Sequence, residues 1–509
     1  METTKNKAII IGGGLGGLFT GAILAKEGWD VEVLEKNRTI GGGLQSFRRW
    51  GMSFDTGMHM LVGFEPGGNL DKICSYLGVL DRIEMRKVDD DCADEITCAA
   101  TGKTYRVAQG REAFIESLAR EFPDEREGLE RYVDHVYAIT DQVGLFYLRP
   151  YDYDSWQMIG DDFTIPADEF IAMYIKDKHL RDLLSLRSPL FDGRVGETPA
   201  YVHSIINTLY IDGARRFVGP SQQLADALAQ VIEENGGKVL AGAEVKEVEV
   251  EGKRITAVVT ADGERHTADA YISAIHVGSM LDLMPEHAFT KAYRKRIDAI
   301  PNTCSAFTIF IKLKPNMIPY INHTTYVKRH DESVFDLGGP QDWPQGLMYM
   351  TPAQPGQGEW ADRMVITAPM TWDQIAPWEN TKHGHRGGDY LKWKDEHTQR
   401  LIDLACVSLP NLRDAIAEVE GSSPLTVRDY YGAREGAIYG YRKDCRDIML
   451  SHIAPVTKVQ NLYYTGQCLN LHGICGVPLT AIVTAEILLG RNYVINKINQ
   501  HYEATAAKA

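Results

Sequence analysis

The sequence predicts an α/β fold in which a Rossmann-like dinucleotide-binding domain carries an α+β substrate domain inserted in the chain. Three observations lead to this prediction. A strand, a glycine-rich turn and a helix begin the chain, a second glycine-rich helix start lies near its end, and the long stretch between them mixes helical and strand patterns. With 509 residues, the chain exceeds one simple core, so two intertwined domains are expected.

The first strand and turn form the stretch KAIIIGGGLGG. The apolar run Lys7–Ile11 is typical of a buried parallel strand, and Gly12, Gly14 and Gly17 follow at G-x-G-x-x-G spacing, before a helix over 15–26. The first glycine permits a tight turn, the second lets the backbone approach a pyrophosphate, and the third lets helix and strand pack closely. The pyrophosphate would bind N–H groups at the positive end of the helix.

The second strand, over 30–34, ends in Glu35, whose carboxylate can accept hydrogen bonds from both ribose hydroxyls. An acid is expected about 20 residues beyond the glycines of a dinucleotide fingerprint. Lys5 and Lys7 before an apolar segment could also imitate a secretory signal, but five glycines in six positions suit such a helix poorly. The stretch therefore predicts a site for an ADP-containing dinucleotide.

The composition argues against several other classes of protein. A net charge of −15 disfavours nucleic acid binding, which needs a basic face, and gives no attraction to an anionic membrane. No stretch approaches the roughly 20 continuous apolar residues of a membrane span, so a cytoplasmic location is expected. The eight cysteines include no C-x-x-C pair, which indicates buried reduced thiols. No metal site is predicted, since His383 and His385 lie in a charged, glycine-rich loop.

A second glycine cluster follows Glu35 in EKNRTIGGGLQSF, and FDTGMHMLVG comes shortly after it. Together with GGGLGG, these segments resemble the flavoprotein superfamily of phytoene desaturases, carotenoid isomerases and all-trans-retinol 13,14-reductases. FDTGMHMLVG is most similar to the retinol saturase branch, which carries an FDTG-x-H-x-x-G stretch. Desaturases usually have an arginine after the paired glycines, where this chain has Gly43. The resemblance therefore favours the saturase branch.

The resemblance extends over nearly the whole chain. A helix predicted over Gln222–Glu234, an Asn-Gly-Gly turn and several strands resemble the second half of the superfamily's FAD domain, which implies that Val245 lines the adenine pocket. Near the C-terminus, TGQCLNLHGICG leads into an apolar helix whose positive end would stabilise the anionic reduced flavin. Two glycine-rich helix starts at opposite ends of the chain fit one long cofactor, FAD.

The resemblance also implies a domain division and a set of contacts. The glutathione-reductase-type FAD-binding domain would comprise 1–64, 218–276 and 446–495, the substrate domain 65–217 and 277–445, and a C-terminal tail 496–509. The implied cofactor-binding residues are Gly12, Gly14, Leu15, Gly16, Gly17, Glu35, Lys36, Gly42, Gly43, Leu44, Gly57, Met58, His59, Val245, Gly466, Gln467, Gly476 and Val477.

The inserted domain is less informative. Residues 65–215 are expected to be mostly helical, and strands over Ser305–Leu313, 348–350 and 364–367 predict a sheet under the substrate cavity. The segment 146–174 is unusually aromatic. Two interpretations stay open for it. In the functional one, the segment is the wall of an apolar tunnel or a lip in peripheral contact with a membrane. In the structural one, it is ordinary packing between domains.

The resemblance implies redox chemistry at a carbon–carbon double bond of an apolar polyene or isoprenoid. In the reductive version, hydride leaves flavin N5 for one carbon and an acid protonates the other. His59 is the first candidate for this acid, with a hydrogen bond to backbone as its structural alternative. Tyr439, in the stretch GAIYG, could donate a proton or simply stack. Arg216 is a weaker candidate, for anchoring a polar end of the substrate.

Three functional hypotheses remain open, because they share every cofactor motif. The first is a saturase-like reductase. The second is a redox-neutral cis–trans isomerase using reduced FAD, or a desaturase. The third is a flavin-containing binding protein without turnover. No second G-x-G-x-x-G unit exists for a nicotinamide, so NADPH or NADH would bind transiently, or electrons would arrive from another protein. The oligomeric state is not predicted.

Overall fold

The computed structural model describes residues 5–57, 60–151, 160–330, 337 and 339–507. The strands are β1 (Lys7–Ile11), β2 (Asp30–Glu35), β3 (Ser46–Arg49), β4 (Met52–Asp55), β5 (Leu61–Val62), β6 (Met85–Lys87), β7 (Asp94–Cys98), β8 (Thr104–Val107), β9 (Ala214–Phe217), β10 (Lys238–Ala241), β11 (Val245–Glu251), β12 (Arg254–Thr260), β13 (Arg265–His266), β14 (Ala270–Ser273), β15 (Ser305–Leu313), β16 (Thr324–Lys328), β17 (Gly346–Met350), β18 (Arg363–Met370), β19 (Ile416–Ser422) and β20 (Leu462–Tyr464).

The described residues form fifteen α-helices. They are α1 (Leu15–Lys26), α2 (Asn69–Leu77), α3 (Arg111–Glu121), α4 (Arg126–Asp141), α5 (Ala167–Tyr174), α6 (Lys178–Leu184), α7 (Ala200–Asp212), α8 (Gln222–Glu234), α9 (Val277–Leu283), α10 (Lys291–Asp298), α11 (Gly388–Ala405), α12 (Leu412–Ala415), α13 (Pro424–Tyr431), α14 (Gly473–Leu489) and α15 (Tyr493–Ala506).

A five-stranded parallel sheet of order β10-β2-β1-β14-β20 forms the first domain. β1 lies at its centre, and residues 8–11 are buried. A continuous apolar strand is what a parallel sheet requires when both of its faces are covered. α1 packs against both α8 and α14, which come from distant parts of the chain. The Rossmann-like fold expected from the sequence is confirmed.

A seven-stranded sheet of order β19-β15-β18-β17-β16-β7-β8 forms the second domain. α11 covers one face of this sheet, where Phe307 and Ile309 of β15 pack with Leu401 of the helix and all three are fully buried. β7 pairs with β16 in parallel. This pairing joins the two inserted segments of the chain in one sheet.

The expectation that 65–215 is mostly helical agrees with α2 to α7, but it leaves out the short strands β6, β7 and β8. β7 has the sequence DEITC, and it becomes a strand through its pairing with β16, more than 200 residues away in the chain. A short and partly polar segment of this kind carries little local periodicity, so the pairing partner decides its conformation.

The described aromatic residues of 146–174 pack inside the protein. Phe146 and Phe170 are buried, and Phe163 stacks on Tyr201 with ring centroids 4.9 Å apart. None of the described residues of this segment lines the large cavity reported below. These contacts agree with packing between elements. Tyr153 and Trp156 lie outside the described residues.

The expectation of a C-terminal tail over 496–509 is wrong, because α15 continues as far as Ala506. α15 packs on α2 and α14, and its residues Val494, Ile495 and Ile498 are fully buried. These three residues repeat at helical spacing, which is the signature of an amphipathic helix docked on a core.

No single helix in the described parts of the chain is long and apolar enough to cross a membrane. α14 and α15 taken together are long and apolar enough for a membrane span, but their axes are bent by 116° relative to each other.

Candidate active site

One large cavity, of about 620 Å³, lies between the two sheets. Glycine-rich loops of the first domain line one part of it. The second sheet and the segments that cover it line the other part. The residues at each end therefore define two chemically different regions of one continuous space.

The turn after β1 has the geometry that the glycine spacing predicts. Gly12 has a φ of +104°, a left-handed conformation that favours glycine. A Cβ atom on Gly17 would lie 2.0 Å from the carbonyl oxygen of Gly12, so only glycine permits this approach of α1 to β1. Gly17 does not itself line the cavity, and its place agrees with the packing role that the fingerprint gives it.

Three loops meet at the start of α1. Gly14 forms an isolated parallel bridge with Gly41, and the N–H of Gly41 donates to the carbonyl oxygen of Gly13 at 2.7 Å. On the other side, a Cβ atom on Gly16 would lie 2.9 Å from the Cα of Gly466. The loops after β1, β2 and β20 thus form one backbone-lined cradle.

Glu35 lies at the floor of this cradle, and its carboxylate joins two turns. Oε2 accepts a hydrogen bond from the N–H of Gly13 and Oε1 accepts one from the N–H of Asn37, both at 2.8 Å. Burial raises the pKa of Glu35, and the two backbone donors act against that rise. Each carboxylate oxygen has a second lone pair, so ribose hydroxyls can still donate to it.

Two helices begin at the cavity without a side-chain cap. Gly14 precedes α1 and His472 precedes α14, and at neither position does a side chain accept a hydrogen bond from the first turn of the helix. Leu15 and Gly473, the first residues of the two helices, both line the cavity. Positive helix ends and exposed backbone suit a pyrophosphate at one place and an electron-rich ring at the other.

Most of the predicted cofactor residues line the cavity. Gly476 does not, and Met58 and His59 lie outside the described residues, so no contact is described for the first candidate acid. Lys36 lines the cavity, with Nζ donating to the carbonyl oxygen of Asp429 at 2.9 Å. The predicted residues found in the lining are Gly12, Gly14, Leu15, Gly16, Glu35, Lys36, Gly42, Gly43, Leu44, Gly57, Val245, Gly466, Gln467 and Val477.

One face of the second sheet forms the floor of the rest of the cavity. Strand pairing aligns one row of lining residues across β15, β18, β17 and β16, and a second row lies two residues further along each strand. The alternate residues face α11 on the other side. The first row is Thr308, Thr367, Met348 and Tyr326, and the second is Ala306, Pro369, Gly346 and Lys328.

Two segments of the inserted domain cover this floor. The stretch 185–190, which follows α6, supplies five lining residues, and α7 supplies Ile206, Leu209 and Tyr210. These side chains are mainly apolar. We call the space between floor and cover the slot. It continues into the cradle past His472, whose Nε2 lies 3.1 Å from the carbonyl oxygen of Leu190.

Tyr439 and His472 stand where the slot meets the cradle. Both line the cavity, and their ring centroids are 5.1 Å apart. Burial raises the pKa of Tyr439, so its phenol stays protonated at neutral pH. Burial and the nearby Lys443 lower the pKa of His472 to about 4, so its imidazole is neutral there. Tyr439 is therefore a protonated phenol at this junction, and its role as an acid stays a prediction.

The structure does not bring Arg216 to the slot. This residue is buried on β9, its guanidinium donates to Oγ1 of Thr324 at 3.1 Å, and it is not among the described residues that line the large cavity. In the sequence, Arg216 lies next to the point where the chain re-enters the first domain, and this position suggested that it anchors the substrate. The strand pairing of β9 with β6 places the side chain elsewhere.

Several residues of the site escaped sequence analysis. His472, Tyr210, Tyr326 and Lys328 all line the cavity, but they lie on segments that only the fold brings together. The first of them carried a usable signal, since it immediately precedes the glycine-rich start of α14.

A separate group of three side chains could hold a metal ion, although the sequence predicted no metal site. Ligand atoms of Cys92, Glu95 and His323 lie within 4.8 Å of one another. The parallel pairing of β7 and β16 brings Glu95 close to His323, which are distant in the chain. This group is not part of the lining of the cavity.

Comparisons with known proteins agree with this architecture. Residues 15–329 match the family model described as flavin containing amine oxidoreductase. The all-trans-retinol 13,14-reductase of Macaca fascicularis is 24% identical, over 96% of this chain and 86% of the relative. A prolycopene isomerase of an Oncidium hybrid cultivar is also 24% identical, over 95% of this chain and 84% of the relative. The resemblance found in the motifs is thereby confirmed.

A solved structure shares the fold. Putrescine oxidase bound to putrescine superposes with a TM-score of 0.65 at 13% sequence identity, over 96% of this chain and 99% of that one. Identity at this level establishes the fold alone, and it confirms the combination of a Rossmann-like domain with a substrate domain.

Proposed function

The chain belongs to the family of flavin containing amine oxidoreductases and binds FAD, as predicted, and on this premise we propose that it reduces a carbon–carbon double bond of an apolar polyene or isoprenoid. The coarse activity, that of an FAD-dependent oxidoreductase, follows from the family. The bond and the substrate class are the proposal.

The observation that carries the proposal is the continuity of the slot with the cradle. A floor of sheet residues and a cover of apolar side chains lead without interruption to Tyr439 and His472 at the cradle. A mainly apolar cavity of about 620 Å³ suits an apolar molecule better than a small charged one. The chain is similar to a retinol reductase and to a prolycopene isomerase, and the names of these relatives support a polyene as the substrate.

The residues of the cradle fit FAD. Glu35 would hold the ribose, the loop from Gly12 to Gly16 the pyrophosphate, and Gly466, Gln467 and Val477 the part nearest α14. When bound and reduced, FAD would supply two electrons to the reaction in the form of one hydride. The apolar walls of the slot exclude water from this place and orient the substrate chain along the floor.

Tyr439 is the described residue best suited to give the second hydrogen. Its phenol is neutral, it lines the cavity, and its ring lies beside the neutral imidazole of His472. Its role would be to hold a proton at Oη until the neighbouring carbon of the double bond accepts it. His59 remains a second candidate from the sequence.

The source of electrons and the cellular location also remain proposals. The sequence contains no second dinucleotide fingerprint, so NADPH or NADH would reach the protein transiently, or another protein would donate the electrons. A cytoplasmic location with at most peripheral contact with membranes is proposed on the net charge of −15, which gives no attraction to an anionic membrane.

Anaerobic mixing tests the proposal. Holoprotein reduced with dithionite is mixed with a polyene panel, and flavin absorbance is followed while products are separated by chromatography. Reoxidation of the flavin together with a saturated product supports the reductase. A geometric isomer without reoxidation would identify the isomerase, and no change with any polyene would favour a binding protein.

A Tyr439→Phe variant serves as the control for the proton. We expect it to retain FAD and to reoxidise at least tenfold more slowly, because general acid catalysis typically contributes a factor of about 100 or more. An unchanged rate would exclude Tyr439 as the acid.

A further inference from the structure

Lys328 is a charged side chain in the mainly apolar slot. It is the last residue of β16 and belongs to the second row of the floor, opposite Gly346 of β17. Its side chain is 16% exposed, and the residue belongs to the lining of the cavity. A lysine in such a place needs a partner, because burying an isolated ammonium is costly.

That partner is Asp182 of α6. Nζ of Lys328 contacts Oδ2 of Asp182, whose side chain is only 2% exposed. Asp182 does not line the cavity, so it lies behind the lysine as seen from the slot. The ammonium carries three N–H donors, and one carboxylate oxygen accounts for one of them. The pair therefore presents hydrogen-bond donors to the slot with no net charge.

The pair lies at the opposite side of the floor from the cradle. Ala306 of β15 is close to the cradle, because the neighbouring Thr303 accepts a hydrogen bond at Oγ1 from the N–H of Tyr439 at 3.1 Å. β18 and β17 lie between β15 and β16, so Lys328 is three strand spacings, about 14 Å, from Ala306. The segment 182–190 spans the same distance. Asp182 at its start contacts Lys328, and the carbonyl oxygen of Leu190 at its end lies near Nε2 of His472.

We propose that Lys328, backed by Asp182, binds an uncharged oxygen at one end of the substrate, a hydroxyl or a carbonyl, while the apolar chain runs along the floor to the cradle. This inference rests on the proposed function for the identity of the chain. It gives to Lys328 the role of polar anchor for which the sequence suggested Arg216.

The charge of the pair selects the chemistry of the ligand. Asp182 already balances the ammonium, so a carboxylate in the slot would add an uncompensated negative charge to a buried place. A neutral oxygen only needs to accept a hydrogen bond from Nζ. The anchor would also fix how far the chain enters the slot, and hence which double bond lies beside Tyr439.

Equilibrium binding to oxidised holoprotein tests this without turnover. The probes are all-trans-retinol, the corresponding carboxylic acid and the corresponding hydrocarbon that lacks the oxygen, followed by perturbation of the flavin spectrum and quenching of protein fluorescence. The test variant is Lys328→Met with Asp182→Leu, which removes both charges together and leaves no buried ion unpaired. Lys392→Met, at an exposed lysine of α11, is the control.

We expect the double variant to bind the alcohol roughly tenfold more weakly and the hydrocarbon unchanged, since a hydrogen bond to a charged donor is lost for the alcohol only. Equal weakening for both ligands, or none for either, would overturn the proposal, because a purely structural ion pair has no preference for oxygen.

The single variant Asp182→Asn tests the selection by charge. It leaves the ammonium without its counter-charge, so the ratio of acid to alcohol affinity should rise at least tenfold. An unchanged ratio would contradict the role of Asp182. The binding experiment contains no electron donor, so it is independent of turnover. A protein that binds the three probes as expected but reduces no polyene in the anaerobic experiment would refute only the proposed function. A protein that reduces polyenes without any dependence on Lys328 would refute only this inference.

Discussion

Glu35 shows how one buried carboxylate can serve both the fold and the cofactor. Its two oxygens already accept backbone N–H groups of two turns, and each retains a lone pair towards the cavity. The sequence predicted only the second of these roles. The first follows from the close approach of the loops after β1 and β2, which no local pattern reveals.

Replacing Glu35 should separate these roles. We expect Glu35→Ala to lower FAD occupancy at least tenfold, because both the ribose contact and the turn are lost. Glu35→Gln should be milder, since one carbonyl oxygen can still accept a hydrogen bond. The flavin-to-protein absorbance ratio after gentle purification measures this. Equal and full occupancy in both variants would remove Glu35 from the ribose site.

His203 makes stability depend on pH. Burial lowers the pKa of His203 to about 3 in the folded protein, whereas an unfolded histidine titrates near 6.5. Between these values the unfolded chain binds more protons, so stability is fully present above about pH 6.5 and is lost as pH falls towards 3. The loss reaches about 2 kcal/mol at pH 5.

Urea denaturation at pH 7.5 and pH 5 checks this. His203→Gln should reduce the difference in unfolding free energy between the two pH values by about 2 kcal/mol. The exposed His287 provides the control, since His287→Gln should leave the difference as it is in the parent. An undiminished difference between the two pH values in the His203 variant would assign the effect to other groups.

Sequence analysis located residues that belong to local motifs and missed those that the fold assembles. Gly12, Gly466 and Tyr439 lie in compact glycine-rich segments and were found at the cavity. Lys328 and Tyr210 lie in an ordinary strand and helix, and their neighbours in space are far away in the chain. The local sequence TTYVK of this strand does not predict that its lysine lies at the slot.

At the scale of elements, amphipathic periodicity was reliable where one core decides the pattern. The predicted bounds of α8 and β15 match the structure. The chain over 265–273 is divided into β13 and β14, because β13 pairs with β12 and β14 with β1 in different sheets. β7 was missed because its strand character comes from its partner β16.

α15 is the element whose role changed most. It was expected to be part of a tail, yet Ile498 is fully buried in the core of the first domain. Ile498→Ala should lower the free energy of unfolding by about 2–4 kcal/mol, because it leaves a cavity between α15 and α2.

Chemical denaturation measures the effect of this change. Glu503→Ala, at an exposed site of the same helix, should change the free energy of unfolding by no more than about 0.5 kcal/mol. If the two variants were equally mild, α15 would not be docked on the core in solution.

At the scale of the whole molecule, each of the two sheets contributes a different part of the cavity. The parallel sheet places glycine-rich turns and two helix starts at one part of the cavity, and the seven-stranded sheet lines the other part with one of its faces. The family relationship establishes the first part. The architecture of the second, a floor that leads from Lys328 to the cradle, is the basis of our proposal that the substrate is an apolar chain.

The mass of the recovered substrate tests this central claim most directly. Holoprotein reduced under anaerobic conditions is incubated with all-trans-retinol and with a hydrocarbon polyene, and the extracted lipid is analysed by mass spectrometry. The account predicts a product that has gained two hydrogens, in an amount equal to the flavin oxidised. A product of unchanged mass, or a loss of two hydrogens with oxidised protein only, would contradict it.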